Sequence, residues 1–95
     1  MRSLTKLTFL RLEHNQIKDI DSLKNFPNLG YLDLADNQIS DIRPLLNLAN
    51  LTYLDLSKNQ IKDSNTIANL TNLTELYFND NYIDNINLSF AYFIA

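Results

Sequence analysis

Residues 29–45 read Leu29-Gly-Tyr-Leu32-Asp-Leu34-Ala-Asp-Asn37-Gln-Ile39-Ser-Asp41-Ile42-Arg-Pro44-Leu45, and the same text returns 22 residues later as Leu51-Thr-Tyr-Leu54-Asp-Leu56-Ser-Lys-Asn59-Gln-Ile61-Lys-Asp63. Working outward, an earlier block opens Leu7-Thr-Phe-Leu10-Arg-Leu12 and continues to Asn15, Ile17 and Asp19. A later one opens Leu73-Thr-Glu-Leu76-Tyr-Phe78 and continues to Asn81, Ile83 and Asn85. The blocks begin at residues 7, 29, 51 and 73 and match without insertion. A fixed period of this length marks an architecture of stacked units, because one unit alone cannot bury its apolar side.

Within a block the leucines alternate with other residues. Leu10 and Leu12 fall on one face of an extended segment, and Phe9, Arg11 and Glu13 on the other. The same alternation recurs at Tyr31, Asp33 and Ala35 and at Tyr53, Asp55 and Ser57. Copies stacked about 4.8 Å apart would form a parallel sheet with leucines behind it.

After the strand the chain must turn across the core, which leaves backbone N–H and C=O groups in need of partners. A carboxamide offers donors and an acceptor together, so Asn15, Asn37, Asn59 and Asn81 can bond their own turn and the next coil. The return segments carry a second apolar set spaced by three: Leu23 and Phe26, Leu45 and Leu48, Ile67 and Leu70. That spacing suits a short 3₁₀ or helical turn. Asp19, Asp41 and Asp63 stand just before these turns, where a carboxylate can accept backbone N–H bonds, and Pro44 fits a first turn position. Ser64 replaces the isoleucine of Ile20, Ile42 and Ile86, so a local loosening is expected there.

These residues resemble the leucine-rich repeat family, in its 22-residue bacterial, internalin-like variety; Asn37-Gln-Ile-Ser-Asp-Ile42 with Pro44-Leu45 carries the likeness most clearly. The resemblance covers residues 4 to about 88. It implies an α/β right-handed solenoid, a horseshoe segment with a short parallel β-sheet on the concave side and 3₁₀ or short helical turns on the convex side. On this reading residues 1–95 are one domain, with a partial repeat at 1–6 and a divergent tail at 89–95. The tail Phe90-Ala-Tyr-Phe-Ile-Ala95 is a candidate cap, an adhesive surface or the cut edge of a fragment, and self-association through uncapped ends is a further expectation.

Composition narrows the function. The 95 residues are 45% hydrophobic and 20% charged, the balance of a packed domain, and the net charge of −3 supplies no basic stripe for nucleic acid. With no cysteine, thiolate metal sites and cysteine nucleophiles are excluded. No apolar run is long enough to cross a bilayer. The first residues show neither the apolar core nor the cleavage site of an export signal. The compartment therefore stays open between cytoplasm and cell surface. The many asparagine, isoleucine and lysine residues suit an AT-rich bacterial genome.

Chemistry-bearing clusters are missing from the pattern. Gly30 is the only glycine and His14 the only histidine, no nucleophile lies beside a base, and the polar residues repeat with the coil rather than converge. No enzyme, cofactor or metal site is expected. The Asn-Leu-Thr triplets at Asn50, Asn69 and Asn72, and Asn87-Leu-Ser, read as repeat text rather than glycosylation acceptors.

The resemblance implies a protein partner on the concave face. Carried position by position, that face consists of a column of Phe9, Tyr31, Tyr53 and Glu75 and a second of Arg11, Asp33, Asp55 and Tyr77. A third column is Glu13, Ala35, Ser57 and Asn79, rimmed by His14, Asp36, Lys58 and Asp80. Aromatic residues on adjacent strands make the kind of rigid strip that anchors interfaces, and Asp33 and Asp55 beside it suit a basic residue. The alternative is a structural or spacer fragment of a larger repeat array with no binding site of its own.

Overall fold

The structure, a computed structural model, describes residues 5–83. Four strands of three residues, β1 (Phe9–Arg11), β2 (Tyr31–Asp33), β3 (Tyr53–Asp55) and β4 (Glu75–Tyr77), form one parallel sheet in chain order. Phe9 pairs with Tyr31, Tyr31 with Tyr53 and Tyr53 with Glu75, so each strand is displaced from the last by one 22-residue repeat. Pairing continues past the strands: Leu12, Leu34 and Leu56 N–H groups donate to the carbonyls of Asp33, Asp55 and Tyr77 at 2.8, 2.8 and 2.7 Å. Strands this short persist because each is bonded to its neighbours and backed by leucine.

Return segments are 3₁₀ turns at Asp21–Asn25, Arg43–Leu45 and Asn65–Asn69. There is no α-helix among the described residues. The solenoid expected from the sequence is the one observed, and its convex turns are of the 3₁₀ kind: the sheet faces a row of 3₁₀ turns. Spacing of three between Leu45 and Leu48 matches the three-residue 3₁₀ period, and a short return leaves no length for an α-helix. Leu29, Leu32, Leu34, Ile39, Leu45, Leu48, Leu51, Leu54, Leu56 and Ile61 have no exposed surface. Each contributes roughly 1.5–3 kcal/mol by leaving water. Leu7, Leu10 and Leu12 on the first coil are half-buried against this core.

Ser64 does not loosen its coil. It is buried like Ile20 and Ile42, and the turn after it is five residues long, the same as the first. The bond that closes each turn is made by backbone, Ile67 N–H to the Ser64 carbonyl at 3.0 Å as Leu23 N–H to that of Ile20, so the change of side chain leaves it intact. The tail at residues 89–95 lies outside the described residues.

Candidate functional site

Three features build the face that the sheet turns to solvent: the interior asparagines that hold the strand exits, the backbone bend beside them, and the side chains on the strands themselves. Asn37 Oδ1 accepts from Ile17 N–H at 3.0 Å, while its Nδ2 donates to the carbonyls of Leu12, Leu34 and Ala35 at 3.1, 3.0 and 3.2 Å. Asn59 makes the same set with Ile39, Leu34, Leu56 and Ser57, and Asn81 with Ile61, Leu56, Phe78 and Asn79. Each of these three amides thus grips its own turn and the preceding coil. Asn15, on the first described coil, donates to Leu12 and Glu13 carbonyls.

The residue before each asparagine bends into the left-handed region, with φ of 63° at His14, 60° at Asp36, 58° at Lys58 and 61° at Asp80. Sequence reading had these four only as a rim; lacking glycine, they gave no sign of positive φ. The bend aims their N–H groups across the ladder, His14 to Ala35, Asp36 to Ser57 and Lys58 to Asn79, each at 2.9 Å. It also brings His14 Nδ1 within 2.8 Å of Asp36 Oδ2 on the next coil. A second asparagine column went unread as well. Asn28 and Asn72 donate to the carbonyls of Thr5 and Ala49, one coil back, at 2.6 and 2.8 Å.

On the sheet face the rings of Phe9 and Tyr31 stack with centroids 4.3 Å apart, and those of Tyr31 and Tyr53 at 4.1 Å and 5° from parallel. Sequence reading placed Tyr77 in the neighbouring column, yet its ring meets Tyr53 at 5.6 Å in a tilted contact. Glu75 takes the ring's place in the first column, and the aromatic strip steps diagonally onto Tyr77. Phe9 is 54% exposed, whereas Tyr31, Tyr53 and Tyr77 are half-buried. Burial, with a hydrogen bond shared with Tyr31, drives the Tyr53 hydroxyl far above the usual phenol range. It therefore stays a neutral donor and acceptor at any physiological pH.

The polar positions separate into engaged and unengaged. Arg11 and Glu13 hold each other, Arg11 Nε donating to Glu13 Oε2 at 3.1 Å. Asp33 is only 8% exposed: its carboxylate folds back to accept from Ala35 N–H at 3.0 Å instead of projecting from the sheet. Asp55, half-buried, accepts from both Ser57 N–H and the Ser57 hydroxyl, at 3.0 and 2.6 Å. Burial, and then the nearby Asp55 and Glu13 carboxylates, push the Asp33 carboxyl above its ordinary range against the pull of the Ala35 bond. No group of three or more His, Asp or Glu side chains among the described residues could hold a metal ion. No helix among them is long and apolar enough to cross a membrane.

Repeats of 22 residues, an in-register parallel sheet, buried leucine columns and an interior asparagine ladder define a leucine-rich repeat solenoid. The family profile described as Leucine Rich repeats (2 copies) matches residues 5–48 and again 49–90. The chain belongs to the leucine-rich repeat family, and among its members it resembles the bacterial internalins. Internalin C2 of Listeria monocytogenes is 42% identical with a TM-score of 0.85, over 87% of this chain and 37% of that one. A second internalin of that organism, InlF, is 38% identical with a TM-score of 0.79, over 81% of this chain and 23% of its own. A leucine-rich repeat protein of Leptospira interrogans is 33% identical at a TM-score of 0.75, over 82% of this chain and 21% of that one. This chain therefore spans well under half the length of each. No curated protein sequence matches it. Protein binding is the usual role of such repeats, which are typically non-catalytic.

Proposed function

We propose that the chain is a non-catalytic recognition module that takes a protein partner on its sheet face, across Phe9, Tyr31, Tyr53 and Tyr77 with Arg11, Asp33, Asp55 and Glu75 around them. The observation that carries this reading is the aromatic strip, stacked from Phe9 to Tyr53 and continued by the tilted Tyr77, which runs across four strands and is partly open to solvent. Tyrosine offers large contact area at small entropic cost, which is why it anchors interfaces. The strip is held rigid by its own stacking and by the hydrogen-bonded backbone behind it, so little ordering remains for a partner to impose. Acidic neighbours favour a protein over nucleic acid. Polar side chains on this face bond to turns or to one another rather than gather round a point where a substrate atom could sit, which supports a binding role over catalysis.

The test compares two variants that leave the core alone. Tyr31→Ala with Tyr53→Ala strips the sheet face; Arg43→Ala with Leu46→Ala strips the opposite one, where both residues are exposed. Photo-crosslinking from the sheet face is then combined with thermal melting. Capture of the same protein by the parent chain and by the Arg43/Leu46 variant, but not by the folded tyrosine variant, supports the proposal. Capture that survives loss of both tyrosines, or that fails only as the variant unfolds, would sink it in favour of a spacer.

A further inference from the structure

The sheet face carries an uneven charge. Its columns hold four acidic residues, Glu13, Asp33, Asp55 and Glu75, with the Asp33 carboxylate folded back to its turn; the one cation in these columns is Arg11, which Glu13 already holds, and Lys58 stands at the rim. Among the described residues no lysine, arginine or histidine forms an ion pair with Asp33, Asp55 or Glu75. Asp33 and Asp55 are direct partners across β2 and β3, and like charges so placed repel.

The turns do not need that charge. Asp33 serves Ala35 N–H, and Asp55 serves Ser57 N–H and hydroxyl, as hydrogen-bond acceptors. An asparagine carbonyl accepts the same bonds with no charge to desolvate. Local structure thus explains an oxygen at these two positions and leaves the negative charge unexplained. Beside them lie rings of suitable kind: Tyr77 is the register partner of Asp55, and Tyr53 that of Glu75, so aromatic and acid alternate over two strands. Tyr53 and Tyr77 meet at 51°, a tilted contact rather than a parallel stack.

We propose that the occupant of the sheet face is an arginine-bearing segment of a protein partner, its guanidinium set against the rings of Tyr53 and Tyr77 and facing Glu75 and the Asp55 carboxylate, of which the turn at Ser57 takes only Oδ1. This rests on the reading of the sheet face as a docking surface. A guanidinium is planar and weakly hydrated, stacks on aromatic rings and forks onto carboxylates; a lysine ammonium does these things less well. Its charge also offsets the repulsion between Asp33 and Asp55. A second copy of this chain, with its net charge of −3, brings the wrong sign.

The probe is a library of random dodecapeptides displayed on phage and selected on the immobilised full chain. Arginine should be enriched over the input library. The recovered peptides should bind Asp55→Asn with Glu75→Gln roughly tenfold or more weakly, and weaken as salt rises. Replacing their arginine by lysine should cost several-fold. Melting curves check the fold, and Asp55→Asn keeps the acceptor that its turn uses. Peptides lost on Tyr31→Ala with Tyr53→Ala, yet free of arginine preference or indifferent to the two charge removals, overturn this inference and leave the docking surface standing. Peptides indifferent to both variants, or no peptides at all, overturn the two together.

Discussion

Each coil has an inner and an outer edge where the chain leaves regular structure, and the two edges satisfy their backbone with different side chains. At the inner edge the residue is asparagine, buried to 7% exposure at Asn37 and 5% at Asn59. At the outer edge it is aspartate, exposed, with Asp19, Asp41 and Asp63 each accepting one backbone bond, from the N–H of Asp21, Arg43 and Asn65 at 2.9–3.0 Å. The reason is solvation. A carboxylate is tolerated where water reaches it, whereas a buried site that must both donate and accept needs a neutral carboxamide.

Breaking the inner edge should have the largest effect. Asn59→Leu removes an acceptor from Ile39 N–H and a donor from three carbonyls in one step. A cost of about 3–5 kcal/mol is expected, since an orphaned buried group costs ~1–3 kcal/mol. The matching outer change, Asp63→Ala, removes one exposed bond and should cost about 0.5–1 kcal/mol, the usual size for such an N-terminal acceptor. Urea unfolding of both variants measures the gap. Equal losses would mean that depth does not distinguish the edges.

The left-handed bend gives the next largest response. Lys58→Val places a β-branched residue at φ 58° and should destabilise by about 1–2 kcal/mol. Lys58→Gly, which relieves that strain, should be neutral or stabilising. Hydrogen exchange at the Lys58 amide, bonded to the Asn79 carbonyl at 2.9 Å, reports the local effect. Identical behaviour of valine and glycine would remove the bend from the account of how the asparagines are aimed.

How far all this could be read from residues alone depends on which kind of fact is asked for. Period and identity decide columns, so the register of Leu10, Leu32, Leu54 and Leu76, and the turn positions at Leu23, Leu45 and Ile67, were legible before any coordinates. Membership of the sheet face was legible for the same reason. Direction within a column was not. Asp33 and Asp55 stand on the sheet, but their carboxylates turn back to the N–H groups of Ala35 and Ser57 at the strand exit, next to the bends at Asp36 and Lys58. Nor does a column show that Tyr77 crosses to Tyr53, because that contact is diagonal. Positive φ at His14, Asp36, Lys58 and Asp80 was hidden for want of glycine.

Gly30 sharpens the point from the other side: the one glycine occupies a place that does not require it. Its φ is not positive, and a Cβ there would lie 3.7 Å from the Asn50 carbonyl and 3.8 Å from that of Thr8, ordinary contact distances. Other coils use threonine at this position, and Thr52 and Thr74 hydroxyls donate one coil back at 3.2 and 3.1 Å. Gly30→Thr should therefore stabilise by about 0.5–1 kcal/mol, by restricting the unfolded chain and adding a hydroxyl bond toward Thr8. A lower urea midpoint would show that the strand entry at this coil has a constraint of its own.

The smallest effects come from the two aspartates whose titrations shift in opposite senses, and pH separates them. The Arg43 guanidinium, bonding both oxygens of Asp41, and the Arg43 N–H hold its carboxyl down at about 2, below the ordinary 3.8. Its contribution to stability is thus present above 3.8 and fades as pH falls through about 2. Both partners are exposed, so solvent and salt keep this contribution small. Asp33 has the reverse sign. Burial raises its carboxyl, so its negative charge opposes folding at neutral pH, and that penalty disappears as pH falls through the raised value. Asp33→Asn, which keeps an acceptor for Ala35 N–H, should melt higher than the parent at neutral pH, with the difference closing on acidification. Asp41→Asn should melt lower at neutral pH, and its deficit should shrink only as pH drops from about 4 toward about 2. Were Asp33→Asn to melt lower at neutral pH, the carboxylate would be stabilising the strand exit in a way that an amide cannot. The rule that separates the two edges would then have to admit charge at a buried turn.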